Sequence, residues 1–105
     1  MKLPKILTEL VRAQDNFDST SYANCFTETA VVVDEGKTYN GKNEIKSWIE
    51  QANKEYQVTM KPLEYTEKTE ILKAEVSGAF PGSPVILSYS LNIKNELIQS
   101  LRINS

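Results

Sequence analysis

A chain of 105 residues, 40% apolar and 25% charged, has the make-up of one soluble globular domain spanning 1–105. Its net charge of −2, with lysines scattered along the chain, offers no basic field for nucleic acid or an anionic membrane. With no histidine and one cysteine, Cys25, the chain has no Ser-His or Cys-His nucleophile pair, no internal disulfide and no nitrogen- or sulfur-ligated metal site.

No cofactor is expected, and any acid–base chemistry falls to carboxylates, tyrosines and lysines. The opening M-K-L-P-K-I-L-T-E-L lacks the apolar core and cleavage site of a signal peptide. No apolar run approaches the roughly 20 residues that span a bilayer. A cytoplasmic protein is the expectation.

In chain order, Pro4 opens a first helix whose buried face is Ile6, Leu7, Leu10, Val11 and Gln14. The run Asp15-Asn16-Phe17-Asp18 breaks it, and Asp18 or Ser19 caps a short second helix that buries Tyr22, Cys25 and Phe26. Ala30 to Val33 is β-branched, continuous and too short for a helix, so it predicts a strand, and it ends in Asp34. A turn at Glu35-Gly36-Lys37 and a brief pairing at Thr38-Tyr39 lead to Asn40-Gly41. A third helix follows, with Ile45, Trp48, Ile49, Ala52 and Tyr56 as its apolar stripe.

The second half is strand-like. Val58, Met60, Leu63 and Tyr65 flank Pro62, which predicts a sheet edge or a bulge because proline cannot donate to a ladder. Leu72, Ala74, Val76, Gly78 and Phe80 share one face of a long strand, and Pro81-Gly82-Ser83-Pro84 reverses the chain. Val85, Leu87, Tyr89, Leu91 and Ile93 give the clearest two-residue period, and a turn at Lys94-Asn95-Glu96 opens a last strand, Leu97 to Ile103. Helices followed by a meander of strands predict an α+β domain, with three helices covering one face of an antiparallel sheet.

These residues resemble the nuclear transport factor 2-like superfamily, in particular its small SnoaL-like members, related in fold to ketosteroid isomerase and polyketide cyclases. The resemblance runs through Asp18 with Cys25-Phe26, Ala30 to Gly36 with its Asp34-Glu35-Gly36 end, and Tyr39-x-Gly41 with Ile45 and Trp48. It continues in Val76-Ser77-Gly78-x-Phe80-Pro81-Gly82-Ser83-Pro84-Val85, Leu91-x-Ile93, Ile98 and Leu101-x-Ile103. It implies a cone-shaped cystatin-like roll, a curved antiparallel sheet wrapped around three N-terminal helices with a pocket inside. It also implies a homodimer packed through the outer sheet face. The superfamily includes both enzymes and non-catalytic binding domains, so fold alone does not set function.

Under the resemblance, Asp34 falls where ketosteroid isomerase relatives keep a proton-transferring aspartate, and the second donor position falls near Tyr89. The first donor position falls on Leu10, which cannot donate. Asp34 has a plainer reading too, a strand-end carboxylate bonded to its own turn. Tyr89 is equally a core tyrosine by its position on an apolar face, and Trp48 an ordinary core aromatic. Cys25 reads as a small core hydrophobe. The expected pocket wall is Leu10, Tyr22, Trp48, Met60, Phe80 and Leu87. Apolar Ile71, Ala79 and Ile86 are expected on the outer face, where a second copy would cover them.

The leading expectation is a homodimer whose pocket binds a small hydrophobic molecule. An isomerase, cyclase or dehydratase using Asp34 with Tyr89 is the second, and a non-catalytic protein-association domain with a filled pocket the third.

Overall fold

Residues 1–105 are described by a computed structural model. In chain order the elements are α1 (Lys5–Asp15), α2 (Ser19–Ala23), β1 (Phe26–Asp34), β2 (Lys37–Asn40), α3 (Gly41–Tyr56), β3 (Thr59–Thr66), β4 (Ile71–Ser77), β5 (Val85–Lys94) and β6 (Leu97–Asn104). The strands make one curved six-stranded sheet in the order β2-β1-β6-β5-β4-β3. No helix is long and apolar enough to cross a membrane.

Local chemistry accounts for the boundaries. The Pro4 carbonyl accepts from the Leu7 and Thr8 N–H groups, so proline stands just ahead of α1, where its missing donor costs nothing. Asp18 caps α2: its Oδ1 accepts from the Ser21 N–H at 3.0 Å and its Oδ2 from the Ser21 hydroxyl at 2.7 Å. These two bonds hold the Asp18 carboxyl below its ordinary range. At the start of α3, Glu44 reaches back to accept from the Asn40 N–H at 2.8 Å.

The sheet differs from the expectation in three places. β1 begins at Phe26 rather than Ala30, because Thr27 and Thr29 carry the strand across a register shift against β6 and the Thr27 hydroxyl donates to Gln99 Oε1 at 2.8 Å. β1 and β6 run parallel; every other pairing is antiparallel. β4 stops at Ser77, so Gly78, Ala79 and Phe80 belong to a loop and Ala79 does not sit on a strand face. Pro62 satisfies both alternatives at once: β3 is an edge strand, and its register shifts between Pro62 and Glu64.

The helices cover the inner face, α3 lying against β1 and α1 against β3. Leu7, Leu10, Phe26, Val32, Ile45, Leu72, Ile98 and Leu101 form the closed part of the core. The stripe of α3 divides in two: Ile45, Ile49 and Asn53 are buried, whereas Trp48, Ala52 and Tyr56, one step round the helix, stay partly open. On the outer face Ile86 is 60% exposed, beside the smaller Ser88 and Ser90 of the same strand.

The loop after β4 is tied to the end of α3. The Ala79 N–H donates to the Tyr56 carbonyl at 2.7 Å, the Gly78 N–H donates to the Ser83 hydroxyl at 3.0 Å, and the Phe80 ring meets Tyr56 edge-on at 6.1 Å. A Cβ on Gly78 would stand 2.8 Å from the Tyr56 carbonyl oxygen and 3.0 Å from the Phe80 ring. Close approach, rather than an unusual φ, is why glycine stands there.

Candidate functional site

Alternation along β1 turns Ala30, Val32 and Asp34 to the same face. Asp34 is in register with Ile103 of β6, and Ile103 with Tyr89 of β5. One row of the sheet thus carries a carboxylate, an isoleucine and a phenol across three neighbouring strands. The Cα atoms of Asp34 and Tyr89 are about two strand spacings, or roughly 10 Å, apart. Both side chains border a cavity of about 1320 Å³ between the inner face of the sheet and α3, open to solvent.

Its apolar wall comes from Ile49, Val58, Val76, Val85, Leu87 and Ile103, with the flat faces of Trp48 and Phe80. Tyr39 stacks on Trp48 at a ring separation of 5.4 Å; Tyr22 meets Trp48 edge-on at 6.1 Å and lies tilted against Phe26 at 5.6 Å. Exposed Glu35, Lys37, Glu44, Glu55 and Arg102 give the mouth a mixed charge. No group of acidic or cysteine side chains is placed to hold a metal ion.

The polar groups inside are few. Burial raises the Asp34 carboxyl above its ordinary value, the neighbouring Glu35 charge adds to this, and the Trp48 indole N–H lowers it in part without closing a direct hydrogen bond. Tyr89 is 5% exposed and Tyr22 2%, and neither hydroxyl has a hydrogen-bond partner within the protein. Burial, then the Asp34 charge, pushes the Tyr89 phenol far up; burial, then Tyr89, Cys25 and Asp34, does the same to Tyr22. A half-buried carboxylate and two unspent phenols therefore share one cavity.

A second polar feature lies on another wall. The Gln14 amide nitrogen donates to Asn53 Oδ1 and to the Val58 carbonyl, each at 2.7 Å. Gln14 borders the cavity and Asn53 stands behind it, with its Nδ2 buried and unpartnered.

Of the expected wall, Tyr22, Trp48, Phe80 and Leu87 border the cavity with Asp34 and Tyr89. Leu10 and Met60 do not: α1 and β3 press them into the closed core, leaving them 0% and 4% exposed. Tyr39 and the Gln14–Asn53 pair were not foreseen. Gln14 did stand in the sequence as a polar residue on the buried stripe of α1, which was a usable signal. Cys25 is buried, its thiol donates to the Ser21 carbonyl at 3.4 Å, and burial pushes it up to about 11, which removes it as a nucleophile.

Among solved structures, the chain is similar to a candidate polyketide cyclase from Sinorhizobium meliloti, with 36% identity over 97% of this chain and 95% of that one and a TM-score of 0.89. In fold it is also similar to an uncharacterised cystatin-fold protein from Novosphingobium aromaticivorans, with 12% identity over 100% and 99% of the two chains and a TM-score of 0.80. A protein with a ketosteroid isomerase-like fold from Catenulispora acidiphila, solved in complex with trimethylamine, has 20% identity over 99% and 87% and a TM-score of 0.79. These last two speak to the fold alone. No family model matches the chain, and no curated protein matches it.

Proposed function

This chain belongs to the SnoaL-like group of the nuclear transport factor 2-like superfamily, and on that premise we propose that its cavity binds a small, largely apolar carbonyl compound and moves a proton on the carbon beside the carbonyl. The observation that carries the reading is the convergence of Asp34, with its raised carboxyl, and the unpartnered Tyr89 hydroxyl on one apolar cavity. A carboxylate raised by burial is a stronger base than one in water.

In the proposed step a carboxylate oxygen of Asp34 takes the proton from carbon. The C–H electron pair moves into a new C–C double bond, and the carbonyl π pair settles on oxygen. The enolate oxygen accepts hydrogen bonds from the Tyr89 and Tyr22 hydroxyls. Asp34 then returns the proton to the same or another carbon. Charge leaves Asp34 as it arrives at the enolate, so the site holds one negative charge throughout. Leu10 lies in the closed core away from the cavity, and Tyr22 supplies the second hydroxyl from α2.

The open cavity runs against a protein-association domain with a filled pocket. A second copy packed over Ile86 and its serine neighbours, in the cytoplasm, belongs to the same reading; the exposed isoleucine supports it.

β-Tetralone, an apolar enolisable ketone, provides the test. Trp48 is the single tryptophan and stands in the cavity wall, so its fluorescence reports binding. Exchange of the ketone's acidic hydrogens with heavy water, followed by proton NMR, reports proton transfer. The wild-type protein should accelerate exchange over buffer and Asp34→Asn should not. Equal exchange with both proteins would remove Asp34 as the base, and binding without exchange would leave a binding domain.

A further inference from the structure

The Gln14–Asn53 pair has a share of hydrogen-bonding capacity that the fold does not use. The Val58 carbonyl can only accept, so the Gln14 nitrogen must face it, and this fixes which way round the amide lies. Both nitrogen bonds are then taken, by Asn53 Oδ1 and by Val58. What Gln14 has left for the cavity it borders is its carbonyl oxygen. Behind it, Asn53 is 7% exposed and its Nδ2 has no partner. Buried side-chain amides of this kind ordinarily satisfy all their strong groups. The Asn53 nitrogen lies behind the cavity wall, so what the pair offers a ligand is the Gln14 oxygen alone, an acceptor that a hydroxyl group can meet as donor.

The location separates this pair from the Asp34 end. Val58 leads into β3, where Met60 is in register with Val76 of β4, and Val76 with Val85 of β5. Tyr89 lies four residues further along β5, about 13 Å in the strand direction. Val76, Val85, Leu87 and Ile49 wall the space between. The cavity therefore has a carboxylate and two phenols at one end, an apolar middle, and a fixed amide oxygen at the other.

We infer that Gln14 is a specificity-determining residue that accepts a hydrogen bond from a hydroxyl at the far end of the ligand. On this inference, which rests on the reading above, the ligand is a long, rigid, apolar ketone with its carbonyl near Asp34 and Tyr89 and a hydroxyl near Gln14. A shorter ketone fits the reacting end but leaves the amide unspent.

A matched pair of probes tests this: a β-tetralone carrying a para-hydroxyphenyl group at its far end, and the same ketone with a plain phenyl group. Trp48 fluorescence titration should show wild-type protein binding the hydroxylated ketone roughly five- to tenfold more tightly, the worth of one hydrogen bond. The double variant Gln14→Met with Asn53→Leu replaces both side chains by apolar ones of similar size; it leaves the Val58 carbonyl without its donor, so a circular dichroism spectrum matching the wild type accompanies the titration. It should bind both ketones alike. Equal binding of the two ketones by wild-type protein, a comparison that needs no variant, would overturn the inference alone. So would a preference that survives in the double variant. Failure of both ketones to bind would overturn the reading of the cavity and the inference with it.

Discussion

Tyr22→Phe separates a tyrosine kept for a ligand from one kept for the fold. The substitution removes one oxygen and leaves the ring, so the contacts with Phe26 at 5.6 Å and Trp48 at 6.1 Å persist. A buried hydroxyl bonded within a protein contributes about 1 kcal/mol, and deleting it costs about that much. The Tyr22 hydroxyl has no such bond, while its residue is only 2% exposed. Burying an unpaired hydroxyl costs about 1–3 kcal/mol, part of which cavity water recovers. Tyr22→Phe should therefore gain between zero and about 1 kcal/mol in urea denaturation, with a Tm rise of up to roughly 6 °C. Its affinity for β-tetralone should fall roughly five- to tenfold in the same preparation. A loss of more than about 1 kcal/mol would mean that the hydroxyl serves the fold, and unchanged affinity would mean that it does not meet the ligand.

Asp34→Asn should also stabilise the protein near neutral pH. The folded carboxyl lies above its ordinary value, so the folded state holds the proton more tightly, and stability drops as pH rises through the folded pKa. The advantage of asparagine should be full above that pKa and vanish below the ordinary carboxyl range; denaturation at several pH values would expose a flat difference, which would contradict a buried charge. Gly78→Ala should cost about 1–3 kcal/mol, because the new Cβ meets the Tyr56 carbonyl at 2.8 Å and the Ala79 N–H keeps that carbonyl from retreating. A cost under about 0.5 kcal/mol would show that the loop has slack. Ile86→Glu should convert a dimer to a monomer in sedimentation analysis, and an unaltered wild-type mass would exclude that face as the interface.

Much of the fold was legible because it is written in local periods. The alternation from Val85 to Ile93 and the capping aspartate at position 18 each depend on neighbours a few residues away. The parallel pairing of β1 with β6 was not legible, since it joins residues far apart in the chain and leaves the alternation of each strand unchanged. The site was harder for a related reason. Leu10 and Leu87 are both leucines on apolar faces, and only the packing of α1 and α3 on the sheet decides that one is sealed in and the other borders empty space. The side chain of Asn53 stands on the buried side of α3, but its meaning comes from Gln14, thirty-nine residues earlier in the chain.

The place of β6 also bears on how the protein is made. It lies between β1 and β5, so until it arrives the sheet exists as two separate pieces, β2-β1 on one side and β5-β4-β3 on the other. The strand that joins them follows the other five in the chain, and its pairing with β1 closes one of the longest loops between them. Nascent protein should expose the unpaired edges of β1 and β5 until that moment, the interval in which edge-to-edge association is most available to it. Asp34 and Tyr89 are brought into one row only by Ile103 of this strand, so the cavity end that carries them is assembled late, in the same step that completes the sheet.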